Sequence, residues 1–147
     1  MGSTHTCILF HVVFATKKRV PLITPDIRND LYSYMGGTIR KHGGKMIEIG
    51  GVADHVHIYL SWRADTALAD LIREVKAGSS GWIHKKGVPK FAWQEGYGAF
   101  TIGKSAENRL IKYIRNQEVH HQKEDYRSEY VGLLKAYDLA FEEKYLE

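Results

Sequence analysis

Asp54-His55-Val56-His57-Ile58-Tyr59-Leu60 is the stretch from which this chain is read. Val, Ile, Tyr and Leu favour a pleated sheet, and neither Gly nor Pro interrupts them, so the stretch is a strand. Side chains on a strand alternate faces. His55, His57 and Tyr59 therefore share one face, while Val56, Ile58 and Leu60 take the other, a core face. Two imidazoles two residues apart on one face can reach the same small ion, and imidazole is a common metal ligand. The same spacing suits a pair of hydrogen-bonded or solvent-facing histidines, so the motif alone leaves both open.

Outward from this strand the chain alternates strand and helix signals. Residues 45–53 form a second strand, joined to the first by so short a connection that the two should pair antiparallel. Gly50-Gly51 weakens it and is expected to be a bulge near the histidines. Residues 7–16 (CILFHVVFAT) are nearly all apolar, which predicts a central strand covered on both faces, with His11 in or near the core. Thr24-Pro25 starts a helix that runs to about residue 42, with Ile27, Leu31, Tyr34, Met35 and Ile39 as its apolar stripe. Arg40, Lys41 and His42 suit its negative end, and Gly43-Gly44 stops it.

Downstream, Asp65-Thr66 caps a helix whose core positions are Leu68, Leu71, Ile72 and Val75, continuing to Trp82 and Ile83. Gly78-Ser79-Ser80-Gly81 predicts a kink or an end within it. Lys85, Lys86 and Lys90 make a basic loop. Residues 91–102 (FAWQEGYGAFTI) read as a packed loop and a short edge strand, or as a stacking surface for bases. Ser105 caps a helix to about residue 123. Leu110, Ile111 and Ile114 face inward on it, while Tyr113, Gln117, His120 and Glu124 share one stripe at the edge of the packed face. A polar linker over 121–128 leads to a last amphipathic helix with Tyr130, Leu133, Leu134, Tyr137 and Phe141. Strand–helix–strand–strand–helix–strand is the ferredoxin-like order. The expected class is α+β, an antiparallel sheet with helices packed on it plus C-terminal helices.

The 147 residues fit a single domain spanning 1–147, with residues 1–6 expected to be disordered or tag-derived. With 44% hydrophobic and 26% charged residues, the composition is that of a soluble globular chain. A net charge of +4 and a pI near 9.1 favour an anionic partner without requiring one. The lone Cys7 excludes an internal disulfide and suits a reducing cytoplasm. No secretory signal or apolar run long enough to span a bilayer is present, so a cytoplasmic chain without a membrane partner is expected.

Asp54-His55-Val56-His57 on a strand, Trp93-Gln94-Glu95-Gly96-Tyr97-Gly98-Ala99-Phe100, and Tyr113-Ile114-Arg115-Asn116-Gln117 on a helix occur in that order. Together they resemble the single-tyrosine HUH transposases, insertion-sequence enzymes acting on single-stranded DNA and related to the REP-associated tyrosine transposases. The resemblance runs from about residue 8 to 146. It implies that His55, His57 and Gln117 hold a divalent metal ion, magnesium or manganese, and that Tyr113 is the nucleophile. It further implies a DNA transposase that cleaves and rejoins single-stranded DNA through a 5′-phosphotyrosine. Its substrate would be hairpin-containing element ends. The expected assembly is a homodimer in which one subunit's tyrosine helix can complete the other's histidine pair. Domesticated relatives keep much of this pattern, so the alternative is an inactive relative that only binds single-stranded DNA or RNA.

The residues support this chemistry in their own right. A tyrosine that attacks phosphorus conserves the bond energy in a phosphotyrosine, so ends are rejoined without ATP. Free tyrosine has a pKa of about 10 and needs help at neutral pH. A divalent ion withdraws charge from the phosphate, and three neutral ligands would leave it its full positive charge. Imidazoles favour manganese, cobalt or zinc, while phosphate oxygens make magnesium usable. His120 is a geometric candidate for a general base or a plain surface histidine. Arg109, Lys104, Lys85 and Lys86, with Lys90, are candidate DNA-backbone contacts. Gly103, Ser105 and the 121–128 linker flank the tyrosine helix and would let it swing between its own site and a neighbour's. An RNA-recognition module would need exposed aromatics on its central strands, and a phosphohydrolase has no use for a tyrosine one turn from a ligand.

Overall fold

The computed structural model describes residues 2–146, apart from the side chain of Tyr145. Strands β1 (Ile8–Ala15), β2 (Lys45–Val52), β3 (His55–Trp62) and β4 (Gly98–Thr101) form one antiparallel sheet in the order β2-β3-β1-β4. Helices α1 (Pro25–Lys41) and α2 (Leu68–Lys85) make the crossovers. Helices α3 (Glu107–Arg115), α4 (Gln117–His120) and α5 (Tyr126–Ala136) follow the last strand. The class is α+β, in the expected ferredoxin-like order.

Alternation along the two central strands sorts the core into two layers. Val12 and Phe14 of β1 and Val56, Ile58 and Leu60 of β3 point to one face, where they meet Leu31, Met35 and Ile39 of α1 and Leu71, Ile72 and Val75 of α2. On the opposite face Leu9 and Tyr59 pack against Leu110 and Ile114 of α3. There Val13, Ala15 and Phe100 pack against Tyr126 and Leu134 of α5. This two-sided cover is why β1 is almost uninterruptedly apolar. Each large side chain so buried is worth about 1.5–3 kcal/mol.

Several local expectations are corrected. Helix α2 runs straight through Gly78-Ser79-Ser80-Gly81. Ser79 Oγ donates to the Val75 carbonyl at 2.6 Å and accepts from Trp93 Nε1 at 2.9 Å, so its polar atom is satisfied inside the helix. Gly78 is the point where Tyr34 approaches: a Cβ there would lie 3.1 Å from the Tyr34 hydroxyl. Tyr34 itself, expected in the apolar stripe of α1, sits at its edge and is exposed. Ala67, not Asp65 or Thr66, is the N-cap of α2, because Asp65 is taken up by Arg63, whose Nη2 donates to it at 2.8 Å. The irregularity in β2 falls between Met46 and Glu48 rather than at the glycines. Gly50 serves close approach instead, since a Cβ on it would fall on the Ile114 carbonyl oxygen of α3.

The expected helix over 105–123 is broken at Asn116 (φ −96°, ψ 22°), and Ser105 makes no side-chain cap. Helix α5 begins inside the expected linker, capped by Asp125, whose Oδ1 accepts from Ser128 N at 2.9 Å. The aromatics of the 91–102 stretch do not form a base-stacking surface: Phe91, Trp93 and Phe100 are buried. Trp93 meets Phe14 edge-on at 4.8 Å. Gln94 Oε1 accepts from Ala15 N at 2.6 Å, which pins this loop to the end of β1.

Candidate active site

β3 delivers His55 and His57 to the face covered by α3 and α5, and both are fully buried. Asp54, at the tight turn before the strand, places Oδ1 2.7 Å from His55 Nδ1. His11 arrives from β1, where Val13 is the register partner of His57, so His11 lies on the diagonal. Its Nε2 is 2.8 Å from His57 Nδ1, and the rings stack at 5.0 Å and 22°. The outer nitrogen of each β3 histidine is thus engaged, and both Nε2 atoms are turned toward one point. Engaging the far nitrogen fixes the ring and leaves the near one to a ligand.

That point holds the carboxylate of Glu129, from α5. Its Oε1 lies 2.8 Å from His57 Nε2, 3.4 Å from His55 Nε2 and 3.0 Å from His121 Nε2. Its Oε2 accepts the Tyr113 hydroxyl, and accepts from Gln117 Nε2 at 3.2 Å. His120 Nε2 is also 3.2 Å from Oε2, without hydrogen-bond geometry. Tyr113, on α3, stands edge-on over His57 with ring centroids 5.5 Å apart at 87°. Gln117, just after the break at Asn116, places Oε1 3.1 Å from His55 Nε2 and donates from Nε2 to the Tyr113 carbonyl at 3.4 Å. Tyr113, His55, His57 and Gln117 therefore meet within one chain.

The basic candidates divide. Arg109 is exposed, one turn before Tyr113 on α3. Lys104 precedes α3 and is held by Glu107 at 3.0 Å, which also accepts the Tyr59 hydroxyl at 2.6 Å. Lys85 and Lys86 lie at the end of α2, in the layer on the other side of the sheet, and Lys86 rides on the Trp82 ring at 5.1 Å. Glu129, His121 and the contact of His11 to His57 were not read from the sequence. A usable signal existed for Glu129, a carboxylate on the buried stripe of α5 between Tyr126 and Leu134.

Burial and charge act against each other here. Burial lowers His57 to about 4 despite the Glu129 carboxylate. Burial lowers His11 too, to about 3, with His57 adding to the effect. For His55 burial is outweighed by the Asp54 and Glu129 carboxylates, which raise it to about 9. Burial opposes charge on Glu129 as well, yet the imidazoles of His121, His55 and His57 hold its carboxyl well below the usual range. Burial and the Glu129 carboxylate push the Tyr113 hydroxyl above its ordinary value, so the phenolate is unfavourable unless a cation is at hand.

The donors suit such a cation. One ligand atom from each of His55, His57, His121 and Glu129 lies within 4.8 Å of the others. Imidazole nitrogens with a carboxylate oxygen fit manganese or zinc, and Gln117 Oε1 stands at the rim beside His55. A carboxylate, that of Glu129, lies beside the three expected neutral ligands.

Residues 4–117 match the model of a family described as Transposase IS200 like. The ISDra2 transposase TnpA of Deinococcus radiodurans is 22% identical over 122 residues, which cover 78% of this chain and 85% of that protein. A candidate transposase of Deinococcus radiodurans, solved as a crystal structure, shares the fold with a TM-score of 0.64 at 17% identity, over 80% of this chain and 98% of that one. A REP-associated tyrosine transposase bound to a REP hairpin matches with a TM-score of 0.60 at 18% identity, over 82% of this chain and 74% of that one.

Proposed function

The chain belongs to the IS200-like transposase family, and from that premise we propose that it cuts and rejoins single-stranded DNA through a covalent bond between Tyr113 and a 5′ phosphate. The observation that carries this is the convergence of the Tyr113 hydroxyl and the Nε2 atoms of His55 and His57 on one carboxylate. An RNA-recognition surface is disfavoured, because α3 and α5 cover the sheet face it would use. Hydrolysis by activated water leaves the place of Tyr113 unexplained.

In the forward step the Tyr113 oxygen forms a bond to phosphorus and the bond from phosphorus to the 3′ oxygen breaks. The phenolic proton is lost and the 3′ oxygen gains one, leaving a free 3′ hydroxyl and a 5′-phosphotyrosine. Attack by a 3′ hydroxyl reverses the step and releases Tyr113, without ATP. His55, His57 and Gln117 would hold a divalent ion, magnesium or manganese, which would supply positive charge to the phosphate and to the phenolate. Asp54 and His11 keep the two imidazoles aimed. Glu129 fixes the direction of the Tyr113 hydroxyl before attack.

Arg109 and Lys104 are positioned to meet the backbone entering along α3, and Lys85 and Lys86 only DNA wrapped to the far layer. The REP hairpin held by one structural relative supports hairpin-containing ends as the substrate. A homodimer working in the cytoplasm completes the proposal; no helix among the described residues is long and apolar enough to cross a membrane.

The test is incubation with labelled single-stranded hairpin DNA and manganese, followed by denaturing electrophoresis. A covalent adduct is expected, absent after chelation and absent with matched duplex. Tight binding with no adduct under any divalent ion would instead identify a relative that only binds nucleic acid.

A further inference from the structure

We propose that Glu129 of α5 is an anionic ligand of the site's metal ion, with His121 beside it, so that the ion fastens the C-terminal helix to the sheet. The proposal rests on the metal-assisted chemistry above. It adds two donors from beyond residues 4–117, the part of the chain that the family model matches.

Position is the first support. Glu129 Oε1 lies among three imidazole nitrogens, at 2.8, 3.0 and 3.4 Å. Three nitrogens and one carboxylate oxygen thus face one another, a donor set that can close around one ion. The four donor atoms lie within 4.8 Å of one another, against roughly 3.4 Å between ligands of a tetrahedral ion with bonds of about 2.1 Å. Oε1 is already within 3.4 Å of each nitrogen, so the wider separations are between nitrogens, and seating an ion requires Oε1 to draw back while the imidazoles close on it.

Charge is the second support. The Glu129 side chain is 2% exposed, and its ion-pair neighbours are histidines alone, with no lysine or arginine among the described residues. Without an ion, only an imidazolium can balance this buried carboxylate, and an imidazolium cannot ligate. A divalent ion supplies it while every imidazole stays neutral and free to ligate.

The third support is the helix itself. Glu129 is a charged residue on the buried side of α5, whose other buried residues are Tyr126 and Leu134, and its carboxylate meets only groups of the site. Helix α5 has 11 residues, too short to be stable by itself, and depends on what anchors its inner face. The consequence is a coupling: loading the ion orders α5, and α5 in place strengthens the ion's binding.

The test is titration of the purified full chain with Co(II), without DNA, followed by visible absorption and calorimetry. The parent should bind one ion with ligand-field bands, and His57→Ala should abolish binding. Glu129→Gln should weaken binding by about tenfold or more and shift the bands. Hydrogen exchange in α5 should slow on adding Co(II) to the parent and not to Glu129→Gln. If the parent and Glu129→Gln share affinity and spectrum while His57→Ala loses binding, the inference fails and the metal site stands. Absence of Co(II) binding by the parent removes both. Should Glu129→Gln not fold by circular dichroism, the parent decides: α5 exchange unmoved by Co(II) overturns the proposal.

Discussion

At the scale of single residues the site is a set of aimed groups, and each has a separable task. Tyr113→Phe keeps the ring that stands over His57 and removes only the oxygen proposed to attack. Cleavage should fall by on the order of 10³-fold or more while binding of single-stranded hairpin DNA stays near that of the parent, measured by gel shift. A variant that still cleaved at a substantial fraction of the parent rate would mean that another group attacks. The role proposed for His11 is positioning: its Nε2 lies against His57 Nδ1, the nitrogen turned away from the Glu129 carboxylate. His11→Phe fills the same space and loses that contact, so affinity for manganese should drop by about 10–100-fold with little change in melting temperature. Unchanged affinity would show that His57 is aimed by its packing alone. The histidine pair was legible because two-residue spacing on a strand fixes a shared face. Glu129 could be marked as a carboxylate on a buried stripe, but its partner could not, since it meets His57 across 72 positions of chain.

Among elements, the decisive contact is the seating of α3 on β2. Gly50 leaves room for the Ile114 carbonyl, and Arg115 Nε donates to Glu48 Oε2 at 2.7 Å across the same junction. Gly50→Ala should lower stability by about 1–3 kcal/mol and reduce cleavage, because α3 must lift and Tyr113 moves with it. Gly81 makes the contrast. Its Cβ would meet nothing within 4 Å, and it lies inside α2, so Gly81→Ala should raise stability by about 0.5–1 kcal/mol and leave cleavage alone. Denaturant unfolding with activity assays checks both; equal effects would refute the role given to Gly50. The two glycine pairs also show why element edges were harder to read than element types. Strand alternation in β1 and β3 and the four-residue spacing of Leu31, Met35 and Ile39 survive any tertiary context. What Gly78 does in a helix, or Gly50 in a strand, depends on Tyr34 and Ile114, which come from elsewhere.

For the whole molecule, the packing of α3 bears on whether the subunits of the proposed dimer would share sites. One chain alone brings Tyr113 beside its own His57, with α3 held to its own β2. Mixing Tyr113→Phe with His57→Ala under subunit exchange should therefore restore no cleavage, with heterodimers confirmed by native mass spectrometry. Recovery of activity would show that α3 leaves its sheet for a neighbour's site. The family assignment, the ferredoxin-like sheet and the clustered site together support the one chemical event proposed, a bond from Tyr113 to DNA. Nuclease trimming of the covalent adduct, proteolysis and tandem mass spectrometry locate that bond directly. A nucleotide carried through its 5′ phosphate on the peptide containing Tyr113, and lost in His57→Ala, is the predicted result. A nucleotide on Tyr126, Tyr130 or any other residue, or cleavage that leaves no protein-linked nucleotide at all, would contradict it.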